Sequence, residues 1–260
     1  MPMIIKNAAI TTFLSCFVAL LTTGPAWSAG EAITSSNSTK SSRFLLYDRY
    51  TTDLALLDKT LKDAFVFSVT TDRKITAITF DDGPSENGAK IITTLKKLGC
   101  PAAFFIPAAN ITGDNIGPYR DPLFRAEVHG YTHRHLSAAG KEECFADISK
   151  AKAVFDASGL QPKYFRPPYG EITKDLKDAL AANNLQGILW SLDSLDWNHL
   201  TGEKLVERIV SNVRHGDIIL FHQTPWTADA LEEIILAMRA QGFSIVGLDN
   251  LLANPKSPSP

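Results

Sequence analysis

Cysteine is scarce in this chain: three residues in 260, and one of them, Cys16, lies inside an apolar N-terminal run. Cys100 and Cys144 are too few for a disulfide framework, so a single bridge and a pair of buried free thiols both stay open. Charge of one sign is lacking as well. Lysine and arginine number 26 against 28 aspartates and glutamates, a net charge of −2, which argues against nucleic acid or an anionic membrane as partner. No apolar run reaches the roughly 20 residues that a bilayer-spanning helix needs. What is present is ordinary for a globular protein, with 45% hydrophobic and 21% charged residues, enough to bury a sizeable core in one domain or two small ones.

The N-terminus reads as an export signal. Lys6 provides a small positive segment, residues 8–21 are apolar though broken by threonines, and Pro25-Ala26-Trp27-Ser28-Ala29 offers small residues for cleavage after Ser28. Cys16 has a poor lead-in for lipid attachment, Phe13-Leu14-Ser15, and the apolar run continues past it. The expectation is therefore a signal peptide over 1–28, a Ser/Thr/Gly-rich flexible lead-in over 29–42, a domain over 43–253 and a proline-rich tail over 254–260. Such a protein is secreted or periplasmic, with no stable membrane insertion once the signal is removed.

Within the domain, short apolar runs alternate with amphipathic stretches. The runs are residues 65–69, 75–80, 102–106, 187–192, 217–221 and 243–246, with shorter steps at Ala126-Glu127-Val128 and Tyr164-Phe165. Helical periodicity marks 86–98 (Ile91, Leu95, Leu98, with Gly99 as stop) and a stretch through Cys144, Ile148, Ala151 and Phe155. Ile172, Leu176 and Leu180 mark a third helix, and Leu205 and Ile209 a fourth after the N-cap Thr201. A fifth carries Leu231, Ile234, Ile235 and Met238, with Thr227 as its cap. Strand–helix alternation predicts an α/β fold with a parallel sheet. About seven such units favour a distorted (β/α) barrel, closed or incompletely closed, over an open doubly wound sheet. A barrel carries function where strands hand over to loops.

The ionisable residues meet that demand. Asp81 and Asp82 follow the run ending in Phe80, His129 and His133 follow Val128, and Arg166 follows Phe165; Asp193 and Asp196 follow the run 187–192, and His222 ends 217–221. Two adjacent carboxylates repel, so a fold that keeps both near one another places a cation between them or splits their protonation. His129 and His133 are four apart, which on a helical turn puts both imidazoles on one side. With one carboxylate they make a three-ligand set that leaves a position open, suited to zinc or a similar first-row ion. His135 reads as a loop residue, and His199 and His215 as solvent-facing. Arg166-Pro167-Pro168-Tyr169-Gly170 is a rigid turn whose arginine can hold a carboxylate ionised. Trp197 beside a polar rim suits stacking on a sugar or shaping a small apolar pocket.

Five segments, in order, resemble the motifs of the polysaccharide deacetylases, also called the NodB homology domain or carbohydrate esterase family four. They are Thr79-Phe80-Asp81-Asp82-Gly83-Pro84, His129-Gly130-Tyr131-Thr132-His133, Arg166-Pro167-Pro168-Tyr169, Asp193-Ser194-Leu195-Asp196-Trp197 and Leu220-Phe221-His222. The resemblance spans about residues 75–252. It implies a distorted (β/α) barrel and metal-dependent removal of acetyl from an N-acetylated glycan. Asp81 would be the general base and Asp82, His129 and His133 the ligands of a divalent metal: zinc first, cobalt or nickel otherwise. Arg166 would orient Asp81, and the backbone N–H of Tyr169 would face the oxyanion. Trp197 and Leu220 would line the acetate pocket. His222 would be the general acid, supported by Asp196 in preference to Asp193. Two features depart from the family pattern: a short approach from Glu127-Val128 to His129, and weak helical periodicity over 110–125. Gln223 also stands where an acidic residue is common. An O-acetyl esterase acting on a polysaccharide such as acetylxylan, and a non-catalytic glycan binder, are the alternative readings.

Overall fold

In the computed structural model the described residues are 59–255. The expected signal peptide, the lead-in, residues 43–58 of the expected domain and residues 256–260 of the tail lie outside them. After a one-turn helix α1 (Lys59–Lys62), the elements run β1 (Phe65–Val66), β2 (Ile75–Asp81), α2 (Glu86–Lys97), β3 (Ala102–Ile106), β4 (Phe124–Val128), α3 (Lys141–Ala157), β5 (Tyr164–Phe165) and α4 (Lys174–Ala182). They continue with β6 (Gln186–Ile188), β7 (Leu192–Asp193), α5 (Gly202–Asn212), β8 (Ile218–His222), α6 (Pro225–Ala240), β9 (Ser244–Ile245) and α7 (Leu248–Leu252).

All ladders of the sheet are parallel, in the order β1-β6-β5-β4-β3-β2-β8-β7, with β9 joining β2. Strands in such a sheet are covered on both faces, which is why Ile75–Asp81 is buried at every position, its threonines included. Their hydroxyls donate to backbone carbonyls, Thr76 to Asp217 and Thr79 to Ile219, both at 2.7 Å. One stretch of chain nearly closes the barrel. The segment expected as a continuous strand over 187–192 is instead two short strands. Its start pairs with β1 and β5, whereas Ser191 N–H donates to the carbonyl of Ile218 at 3.0 Å and Leu192 pairs with Ile219. The two ends of the strand order are thus joined through residues 186–193. With this split and the two-residue strands β1 and β9, the described residues form nine strands in the expected distorted barrel of about seven units.

The two faces of the sheet carry different chemistry because side chains alternate along a strand. Phe80, Phe104 and Phe221 share one register on three neighbouring strands, with ring centroids 5.2 and 5.7 Å apart. All three are fully buried, so truncating one to alanine costs about 3–5 kcal/mol. One residue along, Asp81 stands opposite Phe105 on β3 and His222 on β8. This second layer faces the barrel interior, and its polar members are the start of the site.

The helices follow their periodicity with local corrections. Helix α2 is capped by Ser85, whose Oγ accepts from Gly88 N–H, and carries Glu86 first and Lys96 and Lys97 last, as its dipole favours. Ile172 lies before α4, which Thr173 caps. Thr201 holds the N-cap position of α5 without a side-chain cap bond. Thr227 does not cap α6: Thr224 does, and Thr227 sits inside the first turn facing the barrel end. Between β3 and β4 the chain makes two 3₁₀ turns, Ala108–Asn110 and Gly117–Arg120, and no α-helix, matching the weak periodicity of 110–125. Cys100 and Cys144 are buried free thiols. No helix among the described residues is long and apolar enough to cross a membrane.

Candidate active site

Asp81 and His222 are the last residues of β2 and β8, and Asp193 the last of β7; His129 and Arg166 each follow the final residue of β4 and β5. Parallel strands point all their C-terminal ends one way, so residues up to 141 apart in the chain meet at one rim. The barrel, and no local spacing, gathers them.

Arg166 is the centre of the buried part. Its guanidinium has no solvent exposure and lies 4.1 Å from the Phe105 ring centroid. Nη1 donates to Asp81 Oδ1 at 2.6 Å and to Thr79 Oγ1 at 2.9 Å, while Nη2 donates to the carbonyl of Leu189 at 3.0 Å. A buried carboxylate is costly without such a partner. Burial raises the Asp81 carboxyl above its ordinary pKa, and the charge and hydrogen bond of Arg166 act against that rise. The second oxygen, Oδ2, faces His129 Nε2 at 3.6 Å.

Asp82, His129 and His133 converge. Asp82 Oδ1 is 3.5 Å from His133 Nε2 and 3.9 Å from His129 Nε2, and one ligand atom from each residue lies within 4.8 Å of the others. A tetrahedral ion at about 2.0–2.1 Å from its ligands would separate them by roughly 3.4 Å, so the spread is close to what an ion requires. Protonation fits too. His129 Nδ1 is 2.7 Å from the carbonyl of Arg166; a carbonyl only accepts, so Nδ1 carries the proton and Nε2 offers its lone pair inward. Burial also pushes the His129 pKa down to about 3, keeping the ring neutral as a ligand must be. The helical turn expected for His129 to His133 is not present. The segment is a loop in which Gly130 and His133 take positive φ of 74° and 57°, and those two turns bring the imidazoles to 4.8 Å, edge to face.

On the opposite side, the Asp196 carboxylate is fully buried and accepts three hydrogen bonds. His222 Nδ1–H reaches Oδ1 at 2.7 Å, and His222 N–H and the Thr227 hydroxyl reach Oδ2 at 2.6 Å each. Burial alone would lower the His222 pKa, but the bond and charge of Asp196, followed by the charges of Asp81 and Asp82, raise it to about 9. Asp193 is occupied elsewhere, accepting from Leu195 N–H and from Trp197 Nε1. Trp197 is half exposed and Leu220 buried; Leu220 lies two residues before His222 on β8 and so on the same face. Tyr169 has φ 60° in the 3₁₀ turn Pro168–Gly170. Its ring meets the edge of His133 at 4.7 Å and stacks on His135 at 3.7 Å. His135 is held by Glu171 at 2.8 Å, and His199 and His215 are exposed.

Thr227 and Asn110 also belong to this neighbourhood, and neither stands out in the sequence. Thr227 resembles one more helix-start threonine. Asn110 lies in a segment without periodicity, and its Nδ2 donates to the carbonyl of Gly83 at 2.9 Å.

Comparison with known proteins bears on the family. The sequence model of the family described as polysaccharide deacetylase matches residues 68–188. A peptidoglycan-N-acetylglucosamine deacetylase of Bacillus cereus is 30% identical over 198 residues, 72% of this chain and 92% of that protein. A bifunctional xylanase/xylan deacetylase of Cellvibrio japonicus is 28% identical over 70% of this chain, which spans only 28% of that longer protein. Among solved structures, the Bc1960 peptidoglycan N-acetylglucosamine deacetylase superposes with a TM-score of 0.71 at 27% identity, covering 78% of this chain and 100% of that one. The chain belongs to the polysaccharide deacetylase family.

Proposed function

We propose that this protein is a secreted, zinc-dependent N-deacetylase that removes acetyl from an acetylated amino-sugar glycan. The observation that carries the proposal is the placing of an arginine-bound carboxylate and an aspartate-bound imidazole on register-paired strand ends beside one metal-competent triad. Asp81 is held by Arg166 with one oxygen toward the triad, and His222, its register partner on β8, is held as a cation by Asp196. Two titratable groups kept in opposite protonation states supply a base and an acid at the same pH.

Asp82, His129 and His133 would hold the ion. When bound, the ion supplies Lewis acidity to the acetamide carbonyl and to the attacking water. Asp81 accepts the proton of that water as its oxygen bonds to the carbonyl carbon, and its raised pKa makes it the stronger base. The Tyr169 backbone N–H, turned by the left-handed conformation at that residue, donates to the developing oxyanion. His222 Nε2–H then gives its proton to the amine nitrogen as the carbon–nitrogen bond breaks, releasing acetate and the free amino sugar. Asp196 keeps the imidazole charged and oriented, while Leu220 and Trp197 shape the wall against the methyl group.

The test is acetate release over a panel of N-acetylated glycans by protein stripped of metal and reloaded with zinc, alongside Asp81→Asn. Activity should need reloading and be lost in the variant; turnover that survives both refutes the mechanism. A second reading, O-acetyl esterase, draws support from the relative described as a xylan deacetylase. Faster acetate release from acetylxylan than from any amide substrate would favour it. Glycan binding without turnover by the zinc-loaded protein would instead indicate a binding module. Export by residues 1–28 predicts a mature protein beginning at Ala29, which N-terminal sequencing reads directly.

A further inference from the structure

Gln223 follows His222 directly, yet its side chain leaves the barrel interior and enters a narrow slot beside the turn Asp82-Gly83-Pro84. Its polar atoms are all engaged. Nε2–H donates to the carbonyl of Asp82 at 3.3 Å, and Oε1 accepts from Ser85 Oγ–H and from the Tyr119 hydroxyl, both at 3.1 Å. The amide orientation follows from chemistry, because the Asp82 carbonyl is a pure acceptor and must face the NH₂ group. Ser85 Oγ already accepts from Gly88 N–H at 3.0 Å, which leaves its proton for Gln223.

The slot exists only because both of its walls lack a side chain. A Cβ at Gly83 would meet Gln223 Nε2 at 2.1 Å, and one at Gly88 would meet Oε1 at 1.9 Å and the Tyr119 hydroxyl at 2.6 Å. Two glycines five residues apart are thus tied to one amide 135 or more residues later in the chain. The same turn is gripped once more, at the next carbonyl, by Asn110 Nδ2 on Gly83.

This grip has a clear target. Asp82 has φ 67°, a left-handed conformation that is strained for an L-residue and persists where surrounding contacts over-determine it. That conformation turns the Asp82 carboxylate away from the path of β2 and toward His129 and His133. We infer that Gln223 is a positioning residue for the metal ligand Asp82: by holding the Asp82 carbonyl it fixes the backbone turn that delivers the carboxylate, and so sets the affinity of the site for a divalent cation. The inference rests on the metal reading proposed above.

Zinc affinity of the full-length protein, measured by chelator competition, provides the test. Gln223→Glu keeps the shape and both hydroxyl partners but loses the one donor to Asp82; Gln223→Met keeps the volume and loses all three bonds. Each should weaken zinc about 10–100-fold, the usual consequence of removing support from a metal ligand. Tyr119→Phe, which leaves the Asp82 contact in place, should weaken it less than Gln223→Glu. The unfolding midpoint of the metal-free protein separates this role from a purely structural one. A midpoint that falls while zinc affinity stays within twofold of wild type overturns the inference, as does a Tyr119→Phe effect equal to that of Gln223→Glu. If Gln223→Met fails to fold, Gln223→Glu alone decides. Wild-type protein that binds no stoichiometric zinc removes the metal reading itself, a result distinct from zinc-binding wild type matched by its variants.

Discussion

Asp196→Asn isolates the acid half of the site. The carboxylate is fully buried and accepts from His222 Nδ1–H, His222 N–H and Thr227. If the asparagine oxygen keeps the last two, its NH₂ group faces His222 Nδ1, which must then accept. The ring becomes neutral with its proton on Nε2, and the charged acid is gone. In the wild type the His222 pKa is raised from an ordinary 6.5 to about 9; without Asp196 the strongest raising influence is gone and burial is opposed only by the charges of Asp81 and Asp82, so the pKa falls. At pH 8 about nine-tenths of the wild-type rings are protonated, and each unit by which the variant's pKa drops below 8 costs that fraction roughly tenfold. The alkaline limb of kcat/KM should therefore move down from near pH 9. Stability carries the same sign. A histidine whose folded pKa is raised contributes fully below its unfolded pKa and loses that contribution as pH rises through the folded value. The difference between wild type and variant should be up to about 3 kcal/mol below pH 6.5 and shrink between pH 6.5 and 9. A pH–rate profile, an NMR titration of the imidazole and urea unfolding at several pH values read all three. An alkaline limb that stays near pH 9 in the variant refutes the reasoning.

Arg166→Met leaves the Asp81 carboxylate buried without its partner and should destabilise the fold by about 3–5 kcal/mol. Burial then raises Asp81 with less opposition, so the penalty should be smaller at pH 4 than at pH 7; a pH-independent loss in urea unfolding would contradict this. His133→Ala should abolish the rise in thermal midpoint that zinc produces in the wild type, whereas His135→Ala, outside the triad, should retain it. Cys100 and Cys144, with burial pushing their thiols up to about 12 and about 11, should resist a thiol reagent in the native protein and react once it is unfolded. Rapid labelling of the folded chain would show that the core around them opens.

Local pattern determined much of this protein. The apolar runs and 3.6-residue periodicities located every long helix and the long strands, because burial against a parallel sheet demands those patterns wherever they occur. The five strand-end motifs likewise drew attention to Asp81, Asp82, His129, His133, Arg166 and His222, since each motif is contiguous and carries its chemistry openly. Only the tertiary structure decided how they meet. His129 and His133 converge through two left-handed turns in a loop and not through a helical spacing, and the choice of Asp196 as the His222 partner depends on which carboxylate the turn after β7 aims inward. What the supporting residues hold was hidden for a physical reason. Thr227, Asn110 and Gln223 act through hydrogen bonds to residues 27 to 141 positions away, and no local propensity encodes a contact between segments that only the closing of the barrel brings together.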